Sequence, residues 1–400
     1  MPPHDRGQDE EAVAAYRRAA ELEVEGAWTS LGWALIDLDR LEEAVQALRR
    51  AVAAGDEDAY AELGQVLCRL GLYDESEAVF VEALANGRTD VHVDYGDLLR
   101  ELEGREEDCE TQYRRAIERC AEPDDIHELR DLAHALLHRA RCLGELGRVE
   151  EALDEFERLR ERVGGSADGE LRRYAAEEAM SRGWLLAGVG RTDEALVAYD
   201  HAQVLTDQSD APGLRLQAAA ALYRKALGLR ALERYEEAAE AVAEVINGFS
   251  DDPPPGGMPE IAGAWLLSAI LTDDLAQQHS VIAMYDRVIA RFGDEDDENV
   301  RETVGRARLL QAAVRGRRGD LDAAIAVCSE VLAGIDARDE SCMRIVRAMA
   351  LADRAHWLQK AGRYEEGMAD YRTVLDDFVE GRAPDVDASL VRARIGLGLA

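Results

Sequence analysis

Gly104, Gly147, Gly190, Gly319 and Gly362 stand on one ruler of 43 residues, and Glu233 and Ala276 take the two places where glycine is replaced. Five residues after each comes the opening of one local pattern: Cys109, Ala152, Ala195, Ala238, Val281, Ala324 and Gly367. The periods follow one another without a gap. A fixed period of tens of residues is the mark of stacked supersecondary units, each buried only against its neighbours. A chain of 400 residues would otherwise suggest two or three globules. Here it predicts one continuous strip of core.

The unit reads directly. In Leu143-Gly144-Glu145-Leu146-Gly147-Arg148-Val149-Glu150-Glu151-Ala152 a run of helix formers ends at a glycine. Glycine tolerates the left-handed backbone that closes a helix. Two acids then suit the positive end of a new helix dipole. Ala152, Phe156 and Leu159 follow at i, i+4 and i+7, one face of that helix. Gly190-Arg191-Thr192-Asp193-Glu194-Ala195 and Gly362-Arg363-Tyr364-Glu365-Glu366-Gly367 repeat the pattern. Each unit is therefore helix, tight turn, helix, with a small residue at the crossing and an aromatic beside it.

Towards the start the ruler shortens. Ala12, Ala44, Ser76 and Cys109 are 32 or 33 residues apart. Trp28, Leu31, Gly32, Leu35, Ala44, Leu48 and Ala51 form one such unit; Leu63, Gly64, Gly71, Tyr73, Ser76, Phe80 and Ala83 form the next. These residues resemble the tetratricopeptide repeat, a Trp, Leu-Gly, Ala, aromatic, Ala series over about 34 residues. The later units resemble its longer variants, as in kinesin light chains and many bacterial repeat proteins. Tyr285 to Asp294 also looks like the unit boundary of long bacterial arrays. The resemblance implies an all-α, right-handed superhelical solenoid of antiparallel helix pairs, about twenty helices in all. Short units are expected over residues 1–122 and long ones over 123–400, continuous as one solenoid. A solitary helix over Glu10–Glu23 is expected first and a last one near Ala388–Leu399. Loops are expected at Val163–Asp168, Thr206–Gly213, Ser250–Pro259, Phe292–Glu298 and Gly381–Asp387, with Ser250–Gly257 the most exposed tip.

Composition narrows the partners. The formal charge is −35, spread along the chain, and only residues 301–350 are net basic. Nucleic acid is disfavoured, because phosphate contact needs an excess of Lys and Arg on one face. A protein or peptide partner is expected, a basic one if surface charge steers it. The six cysteines include no C-x-x-C, which reads as free thiols in a reducing cytoplasm. The first residues look unlike a signal peptide, and no apolar run reaches the 18 residues a membrane span needs.

Three local features stand outside the repeat. His127, Asp131, His134, His138, Arg141 and Glu145 step by threes and fours along one helix face. The family resemblance places that helix on the concave groove. The stripe reads as a solvated wall, as a patch touching a peptide or ligand, or as a chelate of His134 and His138 with Asp131. The spacing lacks the glutamate of H-E-x-x-H, so no metal and no cofactor is expected. Arg306 and Arg317 share a face of a second helix, and His356 and Lys360 take the comparable face of the next; together they could receive a carboxylate or phosphate, or the arginines pair with the acidic run Asp294-Glu295-Asp296-Asp297-Glu298 just before them. The Lys and Asn set of the chaperone-tail clamp is missing, so that function does not carry over. Trp184 and Tyr223 are expected on the groove face as contact aromatics, whereas Trp28 and Phe80 match packing positions. With no phosphate loop, dinucleotide fingerprint or nucleophile elbow, no enzyme is expected. The reading is an interaction scaffold holding a peptide or helix in its groove; the alternative is a sensing module that acts on a separate output protein.

Overall fold

The computed structural model describes residues 6–206, 211–274, 281–335, 342–378 and 384–398, and these hold twenty helices and no strand. They fall into two compact units, Met1–Leu185 and Leu186–Ala400. The first holds α1 (Arg6–Glu21), α2 (Ala27–Asp37), α3 (Leu41–Ala53), α4 (Ala59–Arg69), α5 (Tyr73–Ala85), α6 (His92–Arg100), α7 (Glu106–Arg119), α8 (Ile126–Glu145), α9 (Val149–Val163) and most of α10 (Gly169–Gly188). The second holds α11 (Thr192–Thr206), α12 (Pro212–Ala231), α13 (Tyr235–Phe249), α14 (Met258–Asp274), α15 (Val281–Phe292), α16 (Glu298–Arg317), α17 (Leu321–Ala333), α18 (Cys342–Lys360), α19 (Tyr364–Asp377) and α20 (Pro384–Leu397). Both units are stacks of helix pairs. No helix among the described residues is long and apolar enough to cross a membrane.

The ruler glycines do what their position demands. Gly104, Gly147, Gly190, Gly319 and Gly362 all have φ between 73 and 90°. Glu233 and Asp39, which stand where a glycine is missing, are forced to φ 60 and 58°. At Gly147 the amide donates to the Gly144 carbonyl (3.0 Å) and Arg148 donates to Leu143 (2.8 Å), the paired closure of a Schellman turn. The next helix opens on an arginine clasp. Arg148 donates to Glu151 (2.7 Å), and Arg40–Glu43, Arg191–Glu194, Arg234–Glu237 and Arg363–Glu366 repeat it. The paired acids thus serve a specific partner as well as the dipole.

The small residue after the turn is buried in every described unit from Ala44 to Ala324. Ser76 shows why it must be small: its hydroxyl donates to the Gly64 carbonyl at 2.7 Å, so the two helices touch backbone to side chain. A Cβ on Gly64 would lie 2.2 Å from the Phe80 ring. Twelve residues before the small residue of a long unit, Ala140, Ala226, Ala269, Ala312 and Ala355 are also fully buried. That second small position lets the aromatic or aliphatic of the following helix nest against the first.

The extra residues of the long period go mainly into first helices. α2, α4 and α6 have 9–11 residues, whereas α8, α12, α14, α16 and α18 have 17–20. Second helices stay at 12–15. In the Ser250–Gly257 segment Asp251, Asp252, Pro253, Pro255 and Gly256 are exposed, whereas Pro254 and Gly257 are buried. Arg291 and Trp265 hold Ser250 (2.6 and 3.0 Å), and Arg215 grips Asp252 through both its carboxylate and its carbonyl. The last helix begins at Pro384, earlier than expected; the loop residues before it lie outside the described set.

Candidate functional site

In the first unit the first helices are joined by polar rungs. Trp33 on α2 donates its indole N–H to Glu62 on α4 (3.0 Å). Gln65 on α4 donates to Asp94 on α6 (2.7 Å). Asp97, one turn on, lies 2.9 Å from Nε2 of His134 on α8, and Nδ1 of His134 lies 3.2 Å from the Tyr174 hydroxyl on α10. Arg141 on α8 donates to Ser181 (3.0 Å) and reaches Glu177 (3.3 Å). Rungs 29 to 40 residues long therefore run across five consecutive first helices.

The middle of this face is its most tightly coupled part. The Tyr113 hydroxyl donates to Asp97 at 2.5 Å. His138 stacks on the Tyr113 ring (5.8 Å between centroids) and lies 4.3 Å from His134. Arg100 bonds the Nδ1 of His138. Burial, then the charges of His134, Arg100, Arg141 and Arg173, hold the His138 imidazole far below its ordinary value, so the ring is neutral. Burial alone would raise Asp97, but the His134 hydrogen bond and charge, helped by Tyr113 and Arg100, hold it below the usual carboxylate range. An ionised Asp97 carboxylate can only accept, so Nε2 of His134 carries the hydrogen between them. Asp94 goes the other way: burial, reinforced by Asp97 and Glu62 and only partly offset by Gln65, pushes it up to about 7.

Asp97, His134 and His138 present ligand atoms within 4.8 Å of one another. The carboxylate near the histidine pair is thus Asp97 of a neighbouring helix, whereas Asp131 is exposed. A cation already sits there, since the Arg100 guanidinium occupies His138, and the set reads as a network satisfied by the protein itself.

The sequence stripe divides in the structure. His134, His138 and Arg141 belong to the network. His127 is exposed in the first turn of α8, where Asp125 caps its amide at 2.8 Å, and Glu145 is exposed near the other end. Trp184 is 59% exposed, and Trp33 is 48% exposed despite its bond to Glu62. Tyr223 is half-buried against α14, where a Cβ on Gly263 would lie 2.6 Å from its ring. Arg306 turns to Glu302 (2.8 Å), and Arg317 is exposed. His356 and Lys360 gather around the buried Trp357, at 4.6 and 5.2 Å. Asp297 of the acidic run is the cap of α16.

At the Trp33 end the first helices border a cleft of about 970 Å³. Glu23, Glu25, Asp56, Glu57 and Asp58 line it, together with Trp28, Trp33 and Arg88.

Family models described as tetratricopeptide repeat match residues 5–59, 29–91 and 134–166. No curated protein matches the chain. Among solved structures, the apo form of RapI is 10% identical, covering 92% of this chain and 99% of its own, with a TM-score of 0.56. The apo quorum sensor NprR from B. thuringiensis is 13% identical over 93% of this chain and 97% of its own, with a TM-score of 0.49. A monomeric IFIT1 variant with m7Gppp-AAAA is 16% identical over 98% and 88%, with a TM-score of 0.45. The likeness to RapI is one of fold.

Proposed function

The chain carries tetratricopeptide repeats, and we propose that it is an interaction scaffold whose first-helix face in the first unit holds a peptide segment of a partner protein. One observation carries this reading: the face from Trp33 to Ser181 is built of hydrogen-bonded polar and aromatic side chains rather than packed apolar ones. Side chains held in place before binding lose little freedom when a ligand arrives. Glu62, Asp94 and Asp97 offer acceptors to a peptide, and Trp33 and Trp184 offer exposed ring surface. The acidic cleft beside Trp33 favours a segment with Lys or Arg at that end.

A peptide library screened against the purified full chain tests this. Enriched peptides are expected to share basic residues, to bind more weakly as salt rises, and to lose at least tenfold in affinity with Asp97→Asn or Trp33→Ala. Peptides that bind both variants as tightly as the parent would place recognition elsewhere.

A further inference from the structure

Cys109 and Cys142 meet where α7 packs on α8. Both are buried, at 0 and 1% exposure, and their sulfurs lie 2.7 Å apart. Non-bonded heavy atoms normally settle at about 3.5–4.0 Å. A disulfide bond measures about 2.05 Å. The pair therefore stands closer than packing alone brings two atoms. The repeat explains why the meeting occurs here. Cys109 takes the small crossing position, which is Ala, Val or Gly in the later units. The ruler positions of Cys142 in later units are Leu185, Gly228, Leu271, Val314 and Trp357. Only the junction of α7 and α8 has sulfur on both sides.

A cavity of about 240 Å³ is lined in part by both cysteines. Its walls include Arg100, Glu101, Glu103 and Glu145, and the exposed Glu101 and Glu103 mark its opening to solvent. Acidic walls disfavour an anionic thiol reagent but admit a small neutral oxidant. We propose that Cys109 and Cys142 are a modification site, a dithiol that peroxide converts to a disulfide fastening α7 to α8. One sulfur attacks the peroxide O–O bond, giving a sulfenic acid and releasing water. The other sulfur then displaces the sulfenic oxygen as a second water. The two thiols lose two protons and two electrons, and the peroxide is reduced to two waters. The neighbouring thiol and then burial hold Cys109 protonated well above the usual thiol range, so the reaction is slow at neutral pH and speeds up as pH rises.

The cross-link would tie the helix bearing His134, His138 and Arg141 to the helix before it. The test uses the full chain, reduced, desalted and treated with hydrogen peroxide, then unfolded, alkylated and digested with trypsin. The expected product joins peptides 106–114 and 142–148 and vanishes on reduction. The first unit should also melt roughly 5–10 °C higher when oxidised. Cys142→Ser should abolish the product. Recovery of both cysteines alkylated, their separate conversion to sulfinic acids, or pairing of either with Cys68 or Cys120 would overturn the assignment. The parent protein's peptide map decides this even if the variant folds poorly.

Discussion

The two units cover their first-helix faces with different chemistry. In the second, first helices meet by direct apolar contact through glycine. A Cβ on Gly263 would strike Tyr223, one on Gly305 would strike Val346 at 2.7 Å, and one on Gly316 would strike Trp357 at 2.7 Å. In the first, the same faces are bridged by Trp33–Glu62, Gln65–Asp94 and Asp97–His134. Apolar contact makes a stack hold together. A polar bridge contributes less net stability, because its groups could bond water instead. The difference teaches that the repeat fixes where helices lie and leaves the chemistry of the first-helix face free to be apolar or polar.

The largest expected effect probes what the units share. Arg139 pairs with Glu110 (2.8 Å) and Glu155 (2.6 Å), all three nearly buried. Five periods on, Arg354 pairs with Asp370 at 2.7 Å at the same repeat position, but is more exposed. Arg139→Met takes the close cation from the buried Glu110, while Glu155 keeps Arg158 at 2.8 Å, and should cost about 3–5 kcal/mol. Arg354→Met should cost clearly less because solvent screens its pair. Urea unfolding of both variants checks the order, and equal losses would mean burial does not set the scale.

Next comes the glycine contact. Gly316→Val should overpack the α16–α18 crossing and cost roughly 1–3 kcal/mol. Hydrogen exchange should show the loss in the second unit alone, as a stack transmits damage to neighbours only. Loss spread evenly through both units would show that the chain unfolds as one block.

A smaller effect concerns pH. Asp94, raised to about 7 in the folded chain, binds a proton there that the unfolded chain has lost. Its contribution to stability is therefore present at low pH and disappears as pH rises from about 4 to 7. His138 is depressed, so its contribution is present at neutral pH and is lost as pH falls below the unfolded value. Asp94→Asn should remove the first slope and leave the first unit steadily weaker towards acid. Urea midpoints for parent and variant at pH 5 and 7 test the sign. The smallest effect is at Trp184, where Ala should change stability by less than about 0.5 kcal/mol while weakening the peptide. A marked loss of stability there would make Trp184 a packing residue.

What the sequence shows plainly is whatever lies within one period. The turns at Gly147 and Gly319, the crossing at Ala152 and the face through Phe156 follow from spacing and local backbone demands. The site was legible only in halves. His134, His138 and Arg141 share a helix and announce themselves at i and i+4, but Asp97 and Tyr174 come from first helices 37 and 40 residues away. A stripe on one helix cannot show what the next helix sets against it. The spacing of the first helices was the available signal. Arg139 and Arg354 were on the same ruler as the glycines, but charged residues on an acidic chain look like surface until their burial is seen.

Hydrogen exchange of the full chain with and without a selected basic peptide tests the central claim most directly. Protection is expected in α2, α4, α6 and α8, where the polar rungs lie, and should fade in Asp97→Asn. Protection confined to α12–α18, or to second helices of either unit, would contradict a peptide site on the first-helix face of the first unit.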